Sequence, residues 1–347
     1  MNILLIQLKR IGDLILTMPA IAAVRKKFPD ATITLVISRE CAPLVPAIPD
    51  VDRIVIVRRN LSDIGGSFAI LRQKFDYCVD FTRNDRSAFL TALSRARKRI
   101  VSYRVKRRAP IRGRIYNEFV QHRMRDMHTL DYNLSLMEPL GIEQASPRPH
   151  LQIPAAVEDK ANSILRHAKV HRPFVIFHPG SARAEKYWQP DRWAAVIAHA
   201  IARPSLQVVL TGGTSPPERA HLAEIEAQLP RPAENSAAPS VVDLSGKLDL
   251  LTLAAMIKQA NLLVTVDSAP MHLAAATGTP QVVLFGPTNP FHWRPRETTA
   301  VILQGQSHAP LREFASKQPR VPMKLISTEA VIDAMDALLS TPTAPAS

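Results

Sequence analysis

Residues 262–290 read LLVTVDSAPMHLAAATGTPQVVLFGPTNP, and the alternation within this stretch decides the fold. Leu262 to Val266 is a short apolar, β-branched run of the kind that forms a buried strand. Asp267 and Ser268 follow with side-chain oxygens suited to an N-cap. Pro270 suits a first helical turn, and Met271 to Thr277 favours helix. Gly278 ends that helix, and Gln281 to Phe285 opens a second buried strand. The pattern is a βαβ unit whose helix N-terminus lies at the carboxyl edge of a parallel sheet, where ligands of α/β folds dock. Free N–H groups at such a terminus attract a phosphate, with Asp267 and His272 beside it. A phosphorylated ligand is therefore expected at this turn.

The same rhythm extends outward. In the first half, strands are expected at Ile3–Gln7, Ile33–Ile37, Arg53–Val57 and Tyr77–Asp80, with helices over about 13–27 and 64–74. Gly141 to Pro173 breaks the alternation with Pro147, Pro149 and Pro154, then a polar helix, and reads as a linker. The second half restarts with strands at Phe174–Phe177 and Gln207–Leu210 and helices near 191–202, 217–228 and 252–260. Ser215 and Glu218 are spaced as a capping box, and 230–240 reads as a polar surface loop. The economical architecture is α/β, with two Rossmann-like, doubly wound domains facing each other across a cleft. The first spans 1–155 and the second 172–327. A last helix, about 328–340, is expected to pack back on the first domain, and 341–347 to form a disordered tail.

A chain of 347 residues accommodates two domains with cores of their own, and its 46% hydrophobic content is that of a soluble globular protein. No apolar run approaches the ~20 residues that cross a bilayer. Met1 to Leu16 is apolar, but Lys9-Arg10 interrupts it instead of preceding it, so a first strand is expected there and not a secretion signal. Cys41 and Cys78 are the only cysteines, which implies no disulfide framework and makes the reducing cytoplasm the expected compartment. The net charge of +14 is concentrated: Arg95 to Arg114 holds ten Lys or Arg residues and no Asp or Glu. Such a run either stays solvated as a helix or loop or attracts a polyanion. Zinc-finger spacing, RNP-type aromatics and heptads are all missing, so the favoured partner is an anion other than nucleic acid.

Three glycine turns carry the candidate chemistry. Lys9-Arg10-Ile11-Gly12-Asp13 follows the first strand, where Asp13 either charges a first helical turn or serves as a general base for a hydroxyl. His178-Pro179-Gly180-Ser181 follows the first strand of the second half. There Gly180 and Ser181 offer N–H groups to an anion, and Lys186, five residues on, offers a mobile charge for a diphosphate. Thr211-Gly212-Gly213 is a similar turn. No G-x-G-x-x-G, Walker A, G-x-S-x-G or H-E-x-x-H sequence is present. Asp50-Val51-Asp52 resembles a cation-binding carboxylate pair, yet further carboxylates would have to converge on a hard ion, and no metal is expected.

Three segments resemble glycosyltransferase family 9, the lipopolysaccharide heptosyltransferases, over nearly the whole chain. They are ILLIQLKRIGDLILTMPAI (3–21), HPGSARAEKYWQPDRW (178–193) and the long run from Asp243 to Thr288. VDSAPMHLAAA followed by FHWRPR is most similar to the heptosyltransferase III branch. The resemblance implies the GT-B fold and a cytoplasmic enzyme peripheral to the inner membrane. It also implies inverting, metal-independent heptose transfer from ADP-L-glycero-D-manno-heptose to a phosphorylated lipid A-core acceptor, without a cofactor. It assigns acceptor binding to the first domain and donor binding to the second. Asp13 then matches the catalytic base, Lys186 the lysine at the donor diphosphate, and Asp267 the carboxylate holding the donor heptose. Ser268, Ala269 and His272 fall around the phosphates, and Thr211, Gly212, Gly213 and Lys247 in nucleotide-contacting loops, with Ser181 counted among the donor-binding residues. Lys9, Arg10, Arg97, Arg104, Arg107 and Arg108 would face the anionic acceptor or membrane surface. The chain departs from the family in having Ala269 where many members have glycine, and Lys9-Arg10 where small hydroxyl residues are common. A transferase for another nucleotide sugar and a non-catalytic polyanion-binding protein are the alternatives.

Overall fold

The computed structural model describes residues 1–58, 73–143, 145–171, 173–230, 241–305 and 309–340. All but the last two residues of the helix expected near 64–74, most of the loop at 230–240 and the tail at 341–347 lie outside these residues. The chain divides into two compact units, Met1–Gln152 and Ile153–Ser347.

The first unit contains β1 (Asn2–Gln7), β2 (Thr32–Ser38), β3 (Arg53–Val57), β4 (Tyr77–Asp80), β5 (Lys98–Ser102) and β6 (Glu118–Val120). They form one parallel sheet in the order β3-β2-β1-β4-β5-β6. The second unit contains β7 (Phe174–His178), β8 (Gln207–Leu210), β9 (Val242–Asp243), β10 (Leu262–Val266), β11 (Gln281–Phe285) and β12 (Ala300–Gln304). Its order, β12-β11-β10-β7-β8-β9, is again parallel and repeats the first when read from the opposite edge. Both are doubly wound Rossmann sheets, with the order reversing beside β1 and β4 in one unit and beside β7 and β10 in the other. The central strands are buried along their length, as parallel strands covered on both faces must be.

Several local expectations are corrected. The helix expected over 13–27 is two, Ile11–Ile15 and Met18–Lys27, because Pro19 has no N–H to continue the ladder. The basic run 95–114, read as a helix or loop, contains β5, whose Ile100 and Val101 are fully buried. The linker at 141–173 holds the helix Ala155–His167, which belongs to the second unit. Lys160 and Glu158 of that helix pair with Asp249 and Lys258 at 2.6 and 2.7 Å. The last helix, Thr328–Ser340, expected on the first domain, packs within the second unit. Val331 and Met335 join Trp193, Val196 and Val264 in one core, and Asp336 pairs with Arg203 at 2.6 Å. Its apolar stripe gave no hint of which sheet it would cover.

Candidate active site

The turns after β7 and β10 meet where the second sheet reverses, since Thr265 lies in register with His178. A short 3₁₀ turn, Ala184–Lys186, brings Lys186 back over β10. The Lys186 ammonium donates to Asp267 Oδ2 at 2.6 Å and to the Asp267 carbonyl at 2.9 Å. The Thr288 hydroxyl, from the turn after β11, donates to the same Oδ2 at 2.5 Å. Loops after three adjacent strands thus converge on one buried carboxylate. Asp267 is therefore a fixed negative charge with a fixed counter-cation.

Asp267 and Ser268 were expected to cap the helix Ala269–Thr277. Ser268 occupies the N-cap position, but its hydroxyl donates to the Val266 carbonyl at 3.2 Å and makes no cap bond. With Pro270 lacking an N–H, the helix keeps first-turn donors that no capping side chain has taken. Thr265 holds the turn to β7 by donating to the His178 carbonyl at 2.9 Å. His272 is buried in the first turn, and Gly278 ends the helix at φ 80°, as expected.

The expected capping box at Ser215 and Glu218 takes another form. The Ser215 side chain does not cap its helix, and Glu218 reaches back to accept the Gly213 N–H at 2.7 Å. A Cβ on Gly180 or on Gly213 would overlap this carboxylate, so both turns close onto Glu218 because they lack side chains. His178 shares a 2.9 Å hydrogen bond with the Thr211 hydroxyl through Nδ1, and its Nε2 is 3.8 Å from Glu218. That separation exceeds hydrogen-bond length and Glu218 is engaged by Gly213, so burial dominates and pushes the imidazole down to about 4. Ser181 is buried beside this cluster, and Gly246 N–H bonds the Gly212 carbonyl at 2.9 Å, joining the turns after β8 and β9. Lys247 stands exposed on that edge, donating to the Asp243 carbonyl at 2.6 Å.

In the first unit, Asp13 sits within the short helix after β1. Its carboxylate is 3.6 Å from the Lys9 ammonium, and its carbonyl accepts the Thr17 hydroxyl at 2.8 Å. Burial depresses the Lys9 ammonium below the ordinary lysine value, with Asp13 pulling the other way and Arg83 adding to the depression. Lys9 thus points to Asp13, while Arg10 is exposed at the helix start. The basic run is split by β5. Arg97 is exposed before the strand, whereas Arg104, Arg107 and Arg108 follow it at the carboxyl edge, roughly 17 Å away along a five-residue strand. Asp52 is occupied by Arg25 at 2.6 Å and the Ile33 N–H at 2.7 Å, bonds that hold it below the usual carboxylate range. Among the described residues, no group of three or more His, Cys, Asp or Glu side chains is placed to hold a metal.

A family model described as glycosyltransferase family 9 (heptosyltransferase) matches residues 68–321. The chain belongs to glycosyltransferase family 9. It is similar to the lipopolysaccharide heptosyltransferase 3 of Escherichia coli, at 28% identity over 96% of this chain and 97% of that protein. Among solved structures, a family 9 glycosyltransferase from Veillonella parvula superposes with a TM-score of 0.80 at 24% identity, covering 97% of both chains. The E. coli ADP-heptose lipopolysaccharide heptosyltransferase II superposes with a TM-score of 0.76 at 21% identity, covering 98% of both. The two Rossmann units are those of the GT-B fold, and this family 9 member is a glycosyltransferase. Lys186, Asp267, Ser268, Ala269 and His272 are gathered at one turn cluster, with Ser181, Thr211, Gly212 and Gly213 at the neighbouring one. Thr288 and Arg83 carry geometry that the residue pattern did not single out, and Glu218 carries more than the local cap expected of it. Only the FGPT run after β11 could have flagged Thr288.

Proposed function

We propose that this enzyme transfers heptose from ADP-L-glycero-D-manno-heptose to the lipopolysaccharide inner core with inversion and without a metal ion. The observation that carries this reading is the Lys186–Asp267–Thr288 cluster beside an uncapped helix N-terminus at the reversal point of the second sheet. A departing ADP develops negative charge, and Lys186 with first-turn N–H groups would stabilise it in place. Asp267, buried and oriented, would accept hydroxyls of the donor sugar. Thr211, Gly212, Gly213 and Lys247 would border the nucleotide. On the acceptor side, Asp13 would remove the proton from the attacking hydroxyl as that oxygen bonds to the anomeric carbon and the carbon–oxygen bond to ADP breaks. The Lys9 ammonium, 3.6 Å from the Asp13 carboxylate, would hold that side chain in place.

Among the described residues no helix is long and apolar enough to cross a membrane. The proposed location is the cytoplasmic face of the inner membrane, with the basic carboxyl edge of the first unit meeting the phosphorylated acceptor and anionic lipid. A donor panel of ADP-, UDP- and GDP-heptose with purified core glycolipid, read by mass spectrometry, tests the reading. Transfer from the ADP sugar in the presence of EDTA, with product of inverted anomeric configuration, is expected. Transfer only from UDP or GDP sugars, or only with added divalent ion, overturns it.

A further inference from the structure

A second charged concavity lies wholly within the first unit, away from Asp13 in sequence. Its lining includes Arg83 from the turn after β4, Arg104, Arg107 and Arg108 after β5, and Arg123 and Arg125 after β6. Three consecutive strands thus deliver six guanidinium groups to one carboxyl edge, the side of a doubly wound sheet that binds ligands. Their counter-charges are few. Arg125 pairs with its neighbour Asp126 at 3.3 Å, and His122 on the rim pairs with Glu138 at 2.8 Å. Among the described residues, no carboxylate lies within ion-pair distance of Arg83, Arg104, Arg107, Arg108 or Arg123.

Arg83 differs from the others in being built into place. Its backbone has φ 67°, a left-handed conformation that a residue with a side chain adopts only when its surroundings impose it. The imposing group is Asp80, which is fully buried and accepts the N–H groups of Thr82 and Arg83 at 2.8 and 2.9 Å. Asp80 is braced in turn by the Ser87 hydroxyl at 2.7 Å and the Tyr116 hydroxyl at 2.6 Å. The Arg83 guanidinium lies over the Tyr132 ring at 4.8 Å and donates to the Tyr132 hydroxyl at 2.9 Å. Its conformational entropy is largely removed before any ligand arrives, and the planar fork retains donors beyond those given to Tyr132 and Met124.

We propose that this pocket is a binding site for a phosphomonoester or pyrophosphate carried by the acceptor, with Arg83 as its preorganised anchor and Arg104, Arg107, Arg108 and Arg123 as closing cations. A monoanionic carboxylate would leave most of these charges uncompensated, whereas a phosphate dianion with three oxygens matches several arginine forks together. A single-stranded nucleic acid would need stacking platforms. The pocket's Tyr103 is instead set edge-to-face with Phe119 at 6.4 Å, and its His122 is paired with Glu138. The charges of Arg83 and Asp80 both reach Lys9, the partner of Asp13, so the pocket and the acceptor hydroxyl site share one edge. In this respect the inference rests on the first unit being the acceptor unit.

The test uses the full chain and mannose 6-phosphate as the soluble probe, titrated calorimetrically, with mannose as the control. Binding of the sugar phosphate and not of mannose is expected. Affinity should fall about tenfold or more in Arg83→Gln and in Arg83→Lys, since lysine lacks the fork. ADP affinity should be unchanged in both. A separate arm compares transfer to core glycolipid before and after phosphatase treatment, and the KM for the phosphorylated acceptor should be lower in wild type but not in Arg83→Gln. Failure of all transfer with intact sugar-phosphate binding would sink the enzymatic reading and leave the pocket standing. Unchanged probe affinity in Arg83→Gln overturns the pocket. So does full retention in Arg83→Lys, or loss of anionic-vesicle binding in Arg83→Gln without any sugar-phosphate binding in wild type.

Discussion

Lys186 Nζ lies 2.6 Å from Asp267 Oδ2 in a site where the two side chains are only 12% and 8% exposed. A pair this enclosed is expensive to break from one side, because the remaining charge loses its partner without regaining water. Lys186→Ala should therefore lower stability by about 3 kcal/mol as well as weaken ADP binding. Lys186→Ala combined with Asp267→Asn should recover part of the stability and none of the ADP affinity. Thermal unfolding and ADP titration of the four proteins in the cycle separate the two effects. An undiminished ADP affinity in Lys186→Ala removes the lysine from the diphosphate site.

Asp13→Asn keeps the side-chain volume and the Thr17 contact, which uses the Asp13 carbonyl and not the carboxylate. Turnover should fall by about 10²- to 10⁴-fold, as for loss of a general base, with ADP affinity nearly intact. Single-turnover transfer assays provide the measurement, and wild-type turnover in the variant excludes Asp13 as the base.

Gly180→Ala places a methyl group against the Glu218 carboxylate. Glu218 must then release the Gly213 N–H, so a loss of about 1–3 kcal/mol is expected from crowding and the broken bond. In a Glu218→Ala background the same alanine should cost much less. Denaturant unfolding of the two singles and the double gives the coupling, and strict additivity would show that Glu218 is not what the glycine accommodates.

His178 titrates at about 4 in the folded chain against 6.5 for the free side chain, because it is buried. As pH falls through 6.5 the unfolded chain gains a proton that the folded chain does not take until about 4. Stability present above that upper value is therefore lost on acidification across this window, by up to about 3 kcal/mol. His178→Gln should flatten the dependence of melting temperature on pH between 7 and 4.5. Identical slopes for variant and wild type would place the acid sensitivity elsewhere.

The βαβ stretch at 262–290 was legible because burial on both faces forces a plain apolar code, interrupted only where the chain turns. β7 and β8 were readable for the same reason. β5, β6 and β9 were not: β5 is cloaked in arginines at both ends, β6 is three residues long and β9 two. Lys186 and Asp267 could be named from local pattern and family resemblance, but their mutual bond spans 81 residues and arises only through sheet order. Glu218 was read as a local cap, since spacing of three residues fits that use. Its actual partner is the Gly213 N–H on the other side of Ser215, chosen because two bare glycines leave room. Arg83 has no sequence signature at all. Its importance follows from Asp80 beneath it and Tyr132 beside it, residues three and forty-nine positions away.

The closing helix Thr328–Ser340 has a bearing on how the protein is made. Because Val331 and Met335 complete the interior around Trp193 and Val264, the later unit lacks part of its hydrophobic lining until that helix has left the ribosome. The earlier unit, ending at Gln152, has all its strands emerged long before. Biogenesis is thus staggered, and the half proposed to hold the nucleotide sugar matures after the half that precedes it.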